Sequence, residues 1–176
     1  MRATTIGLAT VLVAVLAILW WTSRPQTATI EVYFIRSQLT ADALAPVTRP
    51  VSLPRLPGVG VPRTAAVRAA LQELVKGPTP VEQATGLSSA IPDGTRLLGV
   101  RIAGGIVYAD FSGEIESGGG SASMLGRLWQ IVYTATQPAG APRVRILING
   151  QERQAMGGEG VIIDHPLARP ATPPTF

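Results

Sequence analysis

The chain has 176 residues, 46% of them hydrophobic, which fits one domain plus an appendage and excludes both a multidomain enzyme and a disordered chain. Its net charge of +4 comes almost wholly from arginine, with Arg2 and Arg24 flanking the N-terminal stretch, so the balance of the chain is close to neutral and no nucleic-acid binder is implied. The absence of cysteine removes a disulfide framework, a thiolate metal site, a cysteine nucleophile and a lipid-modified cysteine.

Ala3 to Ser23 carries no charge and is long enough for a helix to cross a bilayer, with Trp20 and Trp21 where an interfacial belt belongs. An uncleaved single-pass anchor over residues 1–24 is expected. A signal peptide is the rival, but no Ala-x-Ala lies near the end of the apolar run. Residues 25–28 form a short linker, and the domain behind it is expected outside the cytoplasm.

Thr29 to Ile35 alternates Ile30, Val32 and Phe34 against Glu31 and Tyr33, the period of a strand. Ser37 to Pro62 contains Pro46, Pro50, Pro54, Pro57 and Pro62 and reads as a long, semi-rigid loop, with Pro46 to Leu53 as an extended edge segment at most. Thr64 is placed to cap a helix through Val75 that buries Val67, Leu71 and Leu74 and stops at Gly77-Pro78. After a turn-rich connector, Leu97 to Ile102 and Ile106 to Phe111 flank Ala103-Gly104-Gly105 as a hairpin.

Gly118-Gly119-Gly120 leads to a second helix from Ser121, with Leu125, Leu128, Trp129, Val132 and Ala135 as its buried stripe, ending before Pro138. Val144 to Ile148 is a further strand, closed by Asn149-Gly150, which suits a type I′ turn into a short return at Gln151 to Gln154. The domain, residues 29–165, is therefore α+β, ordered β-α-β-β-α-β, with two helices on one face of a small mixed sheet. Residues 166–176, rich in proline, are expected to be a flexible tail.

No catalytic, cofactor or metal site is assigned. His165 is the single histidine and adjoins Pro166 near the chain end, away from any evident nucleophile. Asp110, Glu114 and Glu116 form a carboxylate group, which an acidic turn at a strand end explains without chemistry. The triple glycine before Ser121 offers backbone N–H groups but lacks a Walker lysine and reads as a hinge. Tyr33, Phe34, Tyr108, Phe111 and Trp129 are expected in the core. Arg101, Arg143 and Arg145 alternate with apolar residues on their strands and are placed on an open sheet face, while Arg49 and Arg55 lie in the proline-rich loop. These five arginines are the expected interaction surface, together with any free sheet edge.

Several pieces occur in a familiar order. Tyr33-Phe34, Val47-Thr48-Arg49, Leu74-Val75-Lys76-Gly77-Pro78, Gly86-Leu87 with Ser89, Ile91-Pro92-Asp93-Gly94-Thr95, Tyr108-Ala109-Asp110-Phe111-Ser112, Gln130-Ile131-Val132-Tyr133-Thr134 and Val144 to Gly150 resemble the GerMN domain of sporulation and spore germination proteins, here in a single copy. The resemblance covers about Thr29 to Gly150. It implies a fold similar to the ring-building motifs of secretion-type assemblies, displayed outside the membrane, acting through protein contacts and without catalysis or cofactor. The expectation is a membrane-anchored interaction domain of an envelope or sporulation-related complex, able to self-associate. A binding module for glycan or anionic lipid, and an envelope hydrolase built on the carboxylates, are the alternatives.

Overall fold

A computed structural model describes residues 13–17, 20, 24–38, 41–56, 59–158 and 160–175. Most of the expected span at residues 3–23 lies outside these. Residues 13–17 and Trp20 are helical and exposed, and no helix among the described residues is long and apolar enough to cross a membrane.

The architecture is α+β, but the strands form two main sheets rather than one. The first holds β1 (Gln26–Ser37), β2 (Asp42–Leu53) and β3 (Leu87–Ser88) in the order β2-β1-β3. The second is built on β4 (Leu97–Ala103), β5 (Ile106–Phe111) and β6 (Arg143–Ile148). To β6 are added β7 (Gln151–Glu152) and, on its other side, β10 (Leu167–Ala168). A small separate pair, β8 (Ala155–Met156) with β9 (Val161–Ile162), completes the strands. Helices α1 (Arg63–Lys76) and α3 (Ser121–Ala139) pack on each other and touch both sheets, and the short α2 (Pro80–Ala84) follows α1.

The predicted alternation of β1 holds, since Ile30, Val32 and Phe34 are all buried. Helix α1 buries Val67, Leu71 and Leu74 as its spacing predicts and stops at Gly77, whose φ of 79° is one that glycine adopts without strain. Its start is Arg63 after an extended Pro62, with no side-chain cap, so Thr64 lies inside the helix and does not cap it. The β4–β5 hairpin turns through Gly104 and Gly105, both at positive φ, the requirement of a type I′ turn. Asn149 and Gly150 do the same between β6 and β7.

Three further expectations need correction. Residues 42–53 are a strand of β1's full length, paired antiparallel with it, not a loop. The prolines are compatible because β2 is an edge. Tyr33 N–H donates to Thr134 Oγ1 of α3 at 3.1 Å, so Tyr33 and its partner Pro46 form a non-hydrogen-bonded pair. The N–H that Pro46 lacks would have pointed out of the sheet, and Pro50, opposite Thr29, repeats that geometry.

Helix α3 is the second correction. Leu125 is exposed, whereas Met124, Ile131 and even Gln130 and Thr134 are buried, because the helix is enclosed by both sheets and α1. It also runs through Pro138 to Ala139; proline there loses one bond in the final turn only. Lastly, the tail is anchored. Leu167 and Ala168 pair with Val144 and Arg143, Arg169 donates to Tyr133 O at 2.6 Å, and Thr175 bridges to Ala43 of β2.

Candidate interaction surface

Because β5 lies parallel to β6 and antiparallel to β4, Arg101, Tyr108 and Arg145 fall in one row across the second sheet. Ala103, Ile106 and Arg143 form the row below, and Gly99, Asp110 and Leu147 the row above. Successive side chains on a strand alternate faces. Val107, Ala109, Val144 and Ile146 are buried in the core, so the arginine rows occupy the outward face.

The Arg101 guanidinium lies 3.3 Å from the centroid of the Tyr108 ring, a cation–π contact at an exposed site. Arg143 is exposed. Arg145 is not a free cation: the Glu152 carboxylate, to which it donates, neutralises it, and it also donates to the Asp164 backbone carbonyl. An open cleft of about 350 Å³ adjoins this row, lined by Arg68, Gly99, Arg101, Tyr108, Asp110 and Leu147. Arginine, tyrosine and leucine around a shallow cleft are suited to protein contact.

The carboxylates do not converge. Asp110 Oδ1 accepts from Gly150 N–H at 2.8 Å and holds the β6–β7 turn. Glu114 is held below the usual carboxylate range by the Ser112 hydroxyl first, then by backbone N–H and Arg96. Glu116 Oε1 accepts from Gly157 N–H at 3.2 Å. His165 pairs with its neighbour Asp164 in solvent. Among the described residues no group of His, Cys, Asp and Glu could hold a metal ion.

Arg49 leaves the predicted surface. It projects inward from β2, donates to Glu73 Oε2 at 2.9 Å and to Glu82, and bonds Gly77 O at 3.0 Å. Burial alone would lower its pKa, but the Glu82 and Glu73 hydrogen bonds outweigh burial and raise it. Both carboxyls are correspondingly pushed below their ordinary value: burial opposes this, Lys76 and Arg49 prevail at Glu73, and Arg49 and Thr79 at Glu82. The contact ties β2 to the end of α1 and the start of α2, where Thr79 and Glu82 make a capping box. Arg55 is exposed beyond the end of β2, away from this network.

Sequence reasoning passed over the polar stripe Arg127, Gln130 and Thr134 on α3. Arg127 is 2% exposed and donates to Ala90 O, Ile115 O, Ser117 O, Gly118 O and Ser123 Oγ. Gln130 donates to Tyr33 O at 3.0 Å and accepts from Ala90 N–H at 2.8 Å. With Thr134 on Tyr33 N–H, two side chains of α3 complete the edge of β1 where β3 ends. The triple glycine is thus part of a loop whose start is held by Arg127, through the carbonyls of Ser117 and Gly118. Spacing of three and four residues along an otherwise apolar helix was the available signal.

Residues 31–154 match the family model Germane, described as sporulation and spore germination. Among solved structures, the tandem GerMN domains of the sporulation protein GerM from Bacillus subtilis are similar at 26% identity and a TM-score of 0.63, over 82% of this chain and 46% of that one. This chain therefore spans less than half the length of the tandem structure. The first GerMN domain of the same protein is similar at 25% identity and a TM-score of 0.58, over 81% of this chain and 98% of that one. A putative lipoprotein from Clostridium perfringens shares the fold, at 20% identity and a TM-score of 0.56 over 81% and 88% of the two chains. No curated protein matches.

Proposed function

Since the chain belongs to the Germane family of sporulation and spore germination, we propose that it is a non-catalytic interaction domain that docks onto an envelope complex through the outward face of the β4-β5-β6 sheet. The observation that carries this reading is the exposed Arg101 stacked on the half-buried Tyr108 beside the cleft, next to the exposed Arg143, on the outward face of the sheet. Asp110, Glu114 and Glu116 each serve a separate structural contact, which weighs against a hydrolase. On this reading the uncharged residues 3–23 anchor the domain outside the cytoplasm, and protease added to intact cells removes the domain while carbonate leaves the anchor in the membrane.

The direct test is a photo-crosslinking residue in place of Arg143, activated in native membranes, with the joined proteins identified by mass spectrometry. Crosslinks to other envelope proteins that are lost on Arg101→Glu are the expected result. Crosslinks only between copies would favour a homo-oligomeric ring. Loss of all crosslinks, with a control pair joined normally, removes the interaction reading. Binding to anionic vesicles or glycan that falls steeply with salt would establish the alternative module.

A further inference from the structure

The C-terminal tail crosses from the second sheet to the first over a groove that it does not fill. Tyr33 of β1 and Tyr133 of α3 stand with ring centroids 5.2 Å apart. The Arg169 guanidinium caps both, 5.3 Å from the Tyr33 ring and 4.6 Å from the Tyr133 ring. Tyr133 Oη donates to Pro170 O at 3.3 Å, and Thr175 then reaches the outer edge of β2 at Ala43. Between these points a cavity of about 360 Å³ remains, lined by Tyr33, Leu44, Pro46, Tyr133, Arg169 and Pro170.

A segment whose task is to complete the core would bury side chains and leave little void. None of residues 168–175 is buried. The tail beyond Ala168 is held by the Arg169 guanidinium, the Tyr133 hydroxyl and a single bridge at Thr175, a hold that another chain can replace. Its sequence is Arg169-Pro170-Ala171-Thr172-Pro173: the cation lies over the aromatic pair, and Pro170 and Pro173 line the cavity beside it. Prolines fix φ before binding, so such a segment loses little entropy on docking. Aromatic grooves that accept extended Pro-x-x-Pro peptides work by the same physics.

We infer that the Tyr33–Tyr133 groove is a docking site for an extended Arg-Pro-x-x-Pro segment of a partner protein, closed in the free chain by its own tail. The site lies on the first sheet, apart from the arginine face of the second, so it stands or falls independently of the proposed function. A tethered tail competes at an effective concentration of about a millimolar, so the wild-type groove accepts an added peptide weakly.

The test is fluorescence anisotropy with a labelled peptide of residues 168–175 and the full-length chain. Arg169→Glu places a carboxylate over the aromatic pair and frees the tail; this variant is expected to bind the peptide about tenfold or more tightly than wild type. A peptide with its arginine changed to alanine is expected to bind neither. Equal affinity of the variant and wild type, or of the two peptides, overturns the inference. Should Arg169→Glu lose cooperative unfolding, Ala43→Cys with Thr175→Cys supplies the second arm, because the chain has no other cysteine. Oxidation then locks the tail and is expected to abolish the residual peptide binding, which reduction restores; binding that is indifferent to oxidation also overturns it. A wild-type dimer that Arg169→Glu converts to monomer would show that the tail docks on a neighbouring copy, against closure within one chain.

Discussion

Two buried arginines hold two different regions together, and they do it by different chemistry. Around Arg49, β2 is fastened to α1 and α2 by full charges, since the guanidinium meets both Glu73 and Glu82 and also packs 5.0 Å from the Phe34 ring. Around Arg127, the loop before α3 and the segment at Ala90 are fastened by dipoles: among the described residues its hydrogen-bond partners are four carbonyls and one hydroxyl, with no carboxylate. Burial lowers the pKa of Arg127, whereas ion pairing raises that of Arg49. A buried cation thus needs donors matched to acceptors, not necessarily an opposite charge.

The largest expected effect lies at the carbonyl cluster. Arg127→Met strips donors from several buried acceptors at once and is expected to cost about 3–5 kcal/mol, read as the shift in urea unfolding at pH 7. Arg49→Met is expected to cost less, about 2 kcal/mol, because Glu73 and Glu82 retain some access to water after the cation is removed.

Acid sharpens the contrast. Glu73 and Glu82 have folded pKa values below 4.5, so between those values and 4.5 the unfolded chain binds more protons than the folded one. Their contribution is fully present above 4.5 and is lost as pH falls through the folded values. Urea midpoints from pH 7 down to about pH 3 should fall steeply in wild type and in Arg127→Met, and less steeply in Arg49→Met. Equal slopes in all three would place the acid sensitivity elsewhere.

Smaller effects follow away from the cations. Thr134→Val keeps the shape of the side chain and removes its acceptor, at about 1 kcal/mol, with faster hydrogen exchange specifically at the Tyr33 amide. Arg101→Ala, on the exposed face, should stay within about 0.5 kcal/mol of wild type.

What the sequence revealed depended on whether a local pattern had one meaning. The face of α1, the glycine hairpin and the Asn149-Gly150 turn did, and each occurs where the spacing places it. Proline did not. At Pro46 and Pro50 it signals a break in an isolated chain but is harmless on an edge, and only the Tyr33–Thr134 bond reveals which way the missing N–H would face. Arg49 was misplaced for the same reason, because a charge in a loop reads as solvated while a charge on the inner face of a strand must be paired. Of the predicted surface, Arg101 and Arg143 lie open on one face, Arg145 is engaged, and Arg55 lies apart. The Tyr33–Tyr133 groove was invisible because its two rings lie a hundred residues apart, and Arg127 was missed because a charge on a helix reads as solvated until the carbonyls around it are seen.

That distance has a temporal side. Tyr33 N–H finds its acceptor 101 residues later. At a synthesis rate of about 5–20 residues per second, the growing chain carries a half-satisfied β1 for about 5–20 s before Thr134 is made. During that interval Ile30, Val32 and Phe34 have β2 beside them but no α3 to cover them. The domain therefore completes itself late, and any factor that accompanies its nascent chain has most to shield on the first sheet.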